Sequence, residues 1–572
     1  MPRAPLWLCL VAIVACGDVD PSGRPLVSDS PISVFDAPLP APDAPTVSPD
    51  APVAAPDAPC LDCPCVRAPL TMLATPRTSP PTAANTATTF DVALTNNDTA
   101  SCPPSSFELR TRLLETGITL TPTNVTPSES GPLPGGATAH LTISAQATES
   151  FEGQRLSIPF DVSVSGSPNI LAGDTVDLRV AEPPGCHVSV PRELMITDLS
   201  VVEDPVRTDF TAPAGDPRTG AWTFRRLVEN MAPTPADAPA MVETLLATFA
   251  TTQTLNSFQA APRRLMELEI LKTWRRLPGG ALDLEAAPFR LLAIVNRFDL
   301  RSLDHGDAGE ARFVFAFLGD GVIPVGATLI FEYKLPAASE ADVLGWAEAF
   351  HALGALPLSE DYNVALQALT DRFAGRGARP SHPNGSAISA VRTNEIDFGE
   401  DGNWELREFG LSPTSGMLVP RPVELTPDAS LNHSDTLARF VNANAGAILA
   451  DQHTVPDLVE GQPFRAAASL NDGPIWSATG ILDNEARHHF AVNTCNGCHA
   501  IETGTPFIHI GPRLKGLPSR LSGFLTGITV SDPITGEART FNDIARRRAD
   551  LGSIVCAQPA PAHLRQGITR VH

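Results

Sequence analysis

The run His488-His489-Phe490-Ala491-Val492-Asn493-Thr494-Cys495-Asn496-Gly497-Cys498-His499 concentrates more chemistry than any other stretch of this 572-residue chain. Two thiols three positions apart, followed at once by an imidazole, make the Cys-x-x-Cys-His pattern of c-type haem attachment. The reason is geometric: such thiols reach the two vinyl groups of one porphyrin, and the adjacent imidazole falls under the iron. Two other chemistries use the same side chains. Tetrahedral zinc would take Cys495, Cys498 and two of His488, His489 and His509, which leaves His499 unexplained. A disulfide or redox pair would take the two thiols alone.

The longer run CNGCHAIETGTPFIHIGPRLKGL, residues 495–517, resembles class I cytochromes c. In that family the motif is followed by a loop of about a dozen residues and then by Gly-Pro-x-Leu-x-Gly. The resemblance implies that Cys495 and Cys498 are thioether anchors of one covalent haem c and that His499 is the proximal iron ligand. It also implies that Gly511-Pro512 is a supporting loop, with the Pro512 carbonyl accepting a hydrogen bond from His499 and so setting its tautomer. Phe490 falls where the family packs a large apolar residue. The sixth ligand departs from the family pattern, because no methionine follows Met417. His509, between Ile508 and Ile510, is the first candidate, and a satisfied loop histidine is its other reading. His563, His488 and Met417 stand behind it. Two histidine ligands would lower the potential relative to a His/Met pair. An open site would admit ligands or peroxidase-like chemistry.

Other clusters have a structural reading beside the chemical one. Asp304-His305-Gly306-Asp307 with Glu310 offers ligands to a divalent cation, or forms a solvated loop between strands. Glu332, Glu395 and Glu405 lie on or near apolar strands as an acid/base pair, or as separate, paired surface carboxylates. His433 and His453 flank a helix as surface or core histidines. The chain contains no HExxH, no GxSxG, no phosphate-cradling GxxxxGK[ST] and no GxGxxG after a strand.

The segments that must hold these residues divide the chain into five. Residues 1–15 carry one arginine and an apolar run, a signal peptide too short to span a bilayer. Ile13-Val14-Ala15-Cys16 resembles the bacterial lipobox, which implies a lipid-acylated Cys16 and an exported protein tethered to the outer membrane or cell surface. Residues 16–69 repeat Asp-Ala-Pro from Asp36, Asp43, Asp50 and Asp57. A proline in every seven-residue repeat excludes a continuous helix, so this is an extended, disordered stalk. Residues 70–190 alternate apolar and polar positions at Phe90/Val92/Leu94 and Leu156/Ile158/Phe160/Val162, which predicts an all-β sandwich. The segment FDVALTNNDTASCPPSSFEL resembles the immunoglobulin-like modules of secreted bacterial proteins. Cys102 and Cys186 are candidates to pair there, while Cys60, Cys63 and Cys65 suit a disulfide or a metal clip. Residues 191–480 mix helical and strand patterns into a large α+β domain, and residues 481–572 form a small, mostly α, cytochrome c-like segment. The net charge of -23, from 41 Lys and Arg against 64 Asp and Glu, argues against a nucleic-acid partner. A redox partner is implied and its identity is open. Electron transfer is the leading function, ahead of an enzyme centred in the middle domain and of a binding or zinc-stabilised structural lipoprotein.

Overall fold

The computed structural model describes residues 64–556, apart from 112–116, 122–123, 126–131, 166–169, 210–215, 400–401, 471–474 and 506. Cys16, the Asp-Ala-Pro stalk, Cys60, Cys63 and His563 lie outside the described residues. What is described is multidomain, with antiparallel sheets and helical parts. None of its helices is long and apolar enough to cross a membrane.

Eight strands come first: β1 (Thr71–Thr75), β2 (Thr88–Thr95), β3 (Phe107–Thr111), β4 (Ile118–Thr121), β5 (Asn124–Val125), β6 (Thr138–Ala147), β7 (Arg155–Val164) and β8 (Ile170–Arg179). They form two antiparallel sheets, in the orders β1-β2-β6-β4 and β5-β3-β7-β8. Alternation sends Phe90, Val92 and Leu94 of β2 and Ile158, Phe160 and Val162 of β7 into one shared core. Each such side chain contributes about 1.5–3 kcal/mol when fully buried.

The large sheet is built from β9 (Met195–Ile196), β12 (Phe289–Arg297), β13 (Asp307–Gly319), β14 (Ile323–Pro336), β15 (Ile388–Glu395), β16 (Glu405–Leu411) and β17 (Leu418–Arg421). Their order is β17-β16-β15-β14-β13-β12-β9, every pairing antiparallel, with the short β20 (Ser469–Leu470) added to β16. Small hairpins β10 (Gln253–Leu255)/β11 (Phe258–Ala260) and β18 (Leu458–Val459)/β19 (Gln462–Pro463) lie off this sheet.

The two faces of the large sheet differ in chemistry. On β13, Phe313 and Phe315 meet aromatic rings of the helical layer, Phe373 and Phe224 respectively. That layer comprises the one-turn α1 (Leu199–Val202), α2 (Phe224–Met231), α3 (Ala238–Ala247), α4 (Glu340–Gly354) and α5 (Glu360–Ala374). Helices α2, α4 and α5 start at side-chain caps: Thr223 accepts from Arg226 N, Ser339 from Asp342 N and Ser359 from Tyr362 N. The alternate residues of β13, Arg312 and Val314, point the other way, toward the C-terminal segment.

That segment contains α8 (Asn484–Val492), the one-turn α9 (Cys495–Cys498), α10 (Gly523–Thr526), the hairpin β21 (Ile528–Ser531)/β22 (Ala538–Phe541) and α11 (Asp543–Val555). It follows α6 (Asp435–Ala443) and α7 (Ala445–Leu449), and it shares its cores with the chain before it. Val492, Cys498, Ile510, Phe524 and Leu551 belong to the core of the large sheet. Phe490 and Cys495 belong to a second core with Trp404, Phe440 and Phe464. Both cores therefore draw residues from either side of 480/481.

Two disulfides are present among the described residues, Cys65–Cys102 and Cys186–Cys556. The expected Cys102–Cys186 pair is therefore corrected. Cys102 closes a loop of 37 residues, and Cys186 joins a partner 370 residues away on the C-terminal segment.

Candidate functional site

Helix α8 delivers the Cys-x-x-Cys-His turn. Asp483 caps its start by accepting from Glu485 N, and Phe490 anchors its buried face. Thr494 then joins α8 to α9: its hydroxyl donates to Ala491 O at 2.7 Å and accepts from Gly497 N at 3.1 Å. Trp476 Nε1 lies 2.9 Å from Thr494 Oγ1 and 3.0 Å from Asn496 Oδ1, and Cys495 N donates to Thr426 Oγ1 at 3.0 Å. A Cβ at position 497 would stand 2.0 Å from the Ala491 carbonyl, so only glycine fits inside this turn.

Cys495 and Cys498 are both fully buried and outside any disulfide, whereas the other four described cysteines form the two disulfides. Burial pushes the Cys495 thiol up to about 11, although Arg392 pulls it down. A protonated, inaccessible thiol is the opposite of the low-pKa thiolate of a redox Cys-x-x-Cys pair.

His499 donates from Nδ1 to the Phe507 carbonyl. The acceptor expected at Pro512 is thus corrected to a residue five positions earlier. Phe507 adopts φ +66°, a left-handed conformation that costs a non-glycine residue about 1–2 kcal/mol, and this turn aims its carbonyl at the ring. With the proton on Nδ1, the imidazole lone pair is on Nε2. Burial pushes His499 down to about 4, so the ring is neutral and its Nε2 lone pair is not taken by a proton. Trp404 stacks on it with ring centroids 4.9 Å apart.

His509 comes to the same place. Its ring centroid is 4.3 Å from that of His499, its Nδ1 hydrogen-bonds Ser522 Oγ at 2.7 Å and its Nε2 lies 3.5 Å from Cys498 Sγ. An iron held by both imidazoles needs the rings on opposite sides of a porphyrin plane. At this separation there is no layer for that plane, so His509 as sixth ligand does not fit this arrangement. The donor set of Cys495, Cys498 and His499 does fit c-type haem, by residue type, spacing and the tautomer fixed at Nδ1.

Both histidines line a small cavity of about 70 Å³ between the large sheet and the C-terminal segment. Met195, Val295, Val314, Ile330, Ile510 and Leu525 supply its apolar walls, and Arg297, Arg312 and Arg547 its charge. The sequence reading missed the contribution of the sheet. Its only local signal was an arginine at position 297 and another at 312 on otherwise apolar strands.

The remaining candidates are placed elsewhere. His488 Nδ1 sits 2.6 Å from Glu502 Oε1 beside the Arg487–Glu502 ion pair, and His489 Nδ1 lies 3.0 Å from Asp451. Neither joins the two thiols, and the zinc set is not assembled. Met417 packs at the margin of the large core. His433 Nδ1 is 3.1 Å from Ser477 Oγ, and His453 is buried beside Phe490. Asp307 and Glu310 are buried and face Lys334 at 3.7 and 3.1 Å. Glu332 pairs with Arg392 at 2.8 Å, Glu395 with Arg263 at 2.6 Å, and Glu405 with Arg407. All three are paired, but they are buried rather than at the surface as expected, because each meets an arginine in the interior.

Glu395 carries a pH dependence. Burial pushes its carboxyl up to about 7 against the pull of Arg263, with Glu405 raising it further. The unfolded chain releases this proton near pH ~4.3. Between those values the native state binds more protons than the unfolded state, so this group makes stability fall as pH rises from about 4.5 to 7. The expected loss is about 3 kcal/mol across the window. Glu395→Gln should flatten that slope in denaturant midpoints measured at pH 5 and pH 7.5. An identical slope in the variant would assign the dependence to other groups.

No protein-family model and no curated protein matches this chain. Among solved structures, one entitled "AvmM Catalyzes Macrocyclization in Alchivemycin A Biosynthesis" aligns over 20% of this chain and 89% of its own, at 11% identity and a TM-score of 0.14. That similarity is too low to carry a fold or a function.

Proposed function

We propose that this protein is an exported, lipid-anchored c-type haem protein that transfers electrons outside the cytoplasm. In this reading Cys16 carries the lipid, the Asp-Ala-Pro stalk spaces the folded part, and residues 70–190 are an immunoglobulin-like module. The cytochrome c-like segment carries the redox centre. The observation that supports it most is the state of the motif: two buried cysteines outside any disulfide and a neutral imidazole whose Nδ1 is already committed to a backbone carbonyl. Cys495 and Cys498 would hold the porphyrin and His499 the iron. Bound there, haem supplies a one-electron carrier.

The chain's own residues do the rest. The Phe507 carbonyl holds the His499 proton at Nδ1 and strengthens the ring as a donor. Trp404 fixes the plane of the ring by stacking. The apolar walls of the cleft exclude water, and low dielectric around the centre sets its potential.

The test is made on full-length protein exported from cells with a c-type maturation system. Haem-dependent peroxidase staining after denaturing electrophoresis, with a pyridine haemochrome spectrum, is expected to show covalent haem. Cys495→Ala and Cys498→Ala are each expected to lose most of the stain. An unstained wild-type band, while a known cytochrome matures in the same cells, would sink this reading.

A further inference from the structure

A second group of side chains, built on the disulfide Cys186–Cys556, has no part in the haem reading. Cys186 is exposed and Cys556 half-buried. His351, in the last turn of α4, places Nε2 3.6 Å from Cys186 Sγ. The two sulfurs and a ring nitrogen of His351 all lie within 4.8 Å of one another.

The other side of the ring is held by a carboxylate set in the interior. His351 Nδ1 lies 2.9 Å from Glu193 Oε2, and Glu193 is wholly buried. Glu193 Oε1 accepts from Ser189 N at 2.7 Å. A Cβ at position 354 would stand 2.0 Å from that oxygen, so Gly354 leaves the room the carboxylate occupies. Burial raises the Glu193 carboxyl, and Ser189 N and the imidazole act to lower it. With its proton on Nδ1, the ring directs the Nε2 lone pair at the disulfide. A disulfide sulfur carries no proton, so that lone pair has nothing to accept from it.

The neighbouring charges are engaged elsewhere. Arg192 pairs with Glu182, and His187 lies 3.6 Å from the same carboxylate. On α11, Arg548 pairs with Glu152 and Asp550 with Arg301 at 2.6 Å. Glu193 is the charge committed to the ring. The other disulfide is built differently: Cys102 Sγ lies against the Thr99 hydroxyl and the Val66 carbonyl.

We propose that Cys186–Cys556 is a thiol–disulfide exchange site whose substrate is a dithiol, with His351 as acid and base at the sulfurs and Glu193 as its positioning residue. One thiol of the substrate attacks the exposed Cys186 sulfur, giving its proton to His351. A bond forms between those two sulfurs, the Cys186–Cys556 bond breaks, and Cys556 leaves and takes the proton from His351. The second thiol, again deprotonated by His351, attacks the first substrate sulfur and closes the substrate disulfide. Cys186 leaves as a thiolate beside the imidazolium, which favours its charged form. Two electrons pass from the dithiol to the cysteine pair, and the two protons end on Cys556 and His351.

The test uses the full-length oxidised protein with dithiothreitol as the dithiol. Initial rates at pH 7 are read by trapping new thiols with N-ethylmaleimide and mapping the labelled peptides. Cys186–Cys556 is expected to open at least tenfold faster than Cys65–Cys102 in the same molecules. His351→Gln should slow that opening at least tenfold and leave Cys65–Cys102 unchanged. Loosened packing alone would expose the sulfurs and speed the opening, so the direction separates a chemical role from a structural one. Glu193→Gln should slow it at least threefold. In reduced wild-type protein, Cys186 should react with iodoacetamide below pH 7, where an ordinary thiol of pKa about 8.5 is mostly protonated. Both variants should move that profile toward the ordinary one. An ordinary profile in wild type would overturn the proposal, and this measurement stands even where a variant fails to fold. Opening as fast or faster in His351→Gln would overturn it too. The haem reading is untouched by either result, since neither cysteine belongs to the Cys-x-x-Cys-His motif.

Discussion

Arg392→Ala is expected to lower the unfolding free energy by about 3–5 kcal/mol, because it strands buried carboxylates. Arg392 is buried on β15 and bridges two neighbouring strands. It reaches Glu332 on β14 at 2.8 Å and Glu408 on β16 through both Nε and Nη2, at 3.1 and 3.0 Å. Burial opposes the charge on Glu332 and Arg392, and the pairing outweighs it at the arginine, whose guanidinium is held well above its usual value. Without the arginine, Glu332 keeps only Arg312 at 3.3 Å and Glu408 keeps Arg421 at 3.2 Å. The effect is read as a lowered denaturant midpoint. The triple variant Arg392→Met/Glu332→Met/Glu408→Met should recover most of the loss, since a well-packed apolar trio replaces a buried ion network at little cost. A single variant within about 1 kcal/mol of wild type would show that water reaches these carboxylates.

Removing the Cys186–Cys556 disulfide is expected to cost still more. Cross-linking residues 370 apart restricts the unfolded chain by roughly 5–6 kcal/mol in the loop-entropy description. The 37-residue Cys65–Cys102 loop gives about 4 kcal/mol by the same relation. The Cys186→Ser/Cys556→Ser variant should therefore unfold at lower denaturant than Cys65→Ser/Cys102→Ser. The reverse order would mean that contacts persisting in the unfolded chain already hold residues 186 and 556 together. The longer bridge also bears on the site. It ties the chain just before β9, which carries Met195 of the cleft, to the end of α11, which carries Arg547.

The sheet was legible wherever its strands alternate. The apolar pattern at 290–295, 312–318 and 327–335 marks β12, β13 and β14, and 404–411 marks β16. Strand β15 carried no such signal. Its residues Arg392, Asn394 and Glu395 are buried polar groups paired by Glu332 and Glu408, by Trp404 and by Arg263 respectively, and a hydrophobic pattern records only apolar burial. The helices over 341–353 and 362–373 were marked by apolar spacing and sit within α4 and α5. The helix expected over 434–449 divides at Asn444 into α6 and α7.

What the sequence determined by itself about this protein is what short stretches of backbone determine. Three residues separate the thiols, Thr494 caps the turn that presents them, and Gly497 is there because the Ala491 carbonyl leaves no space for a side chain. These relations lie within one or two helical turns, where covalent geometry fixes distance. The tertiary structure alone decided which cysteines pair, and that His509 stands against His499. It also decided that Phe507 rather than Pro512 takes the His499 proton, and that a sheet two hundred residues upstream walls the cleft with Arg297. Each of these joins groups distant along the chain, or turns on how a loop closes. Their separation in space is set by strand order and packing, which residue spacing does not encode.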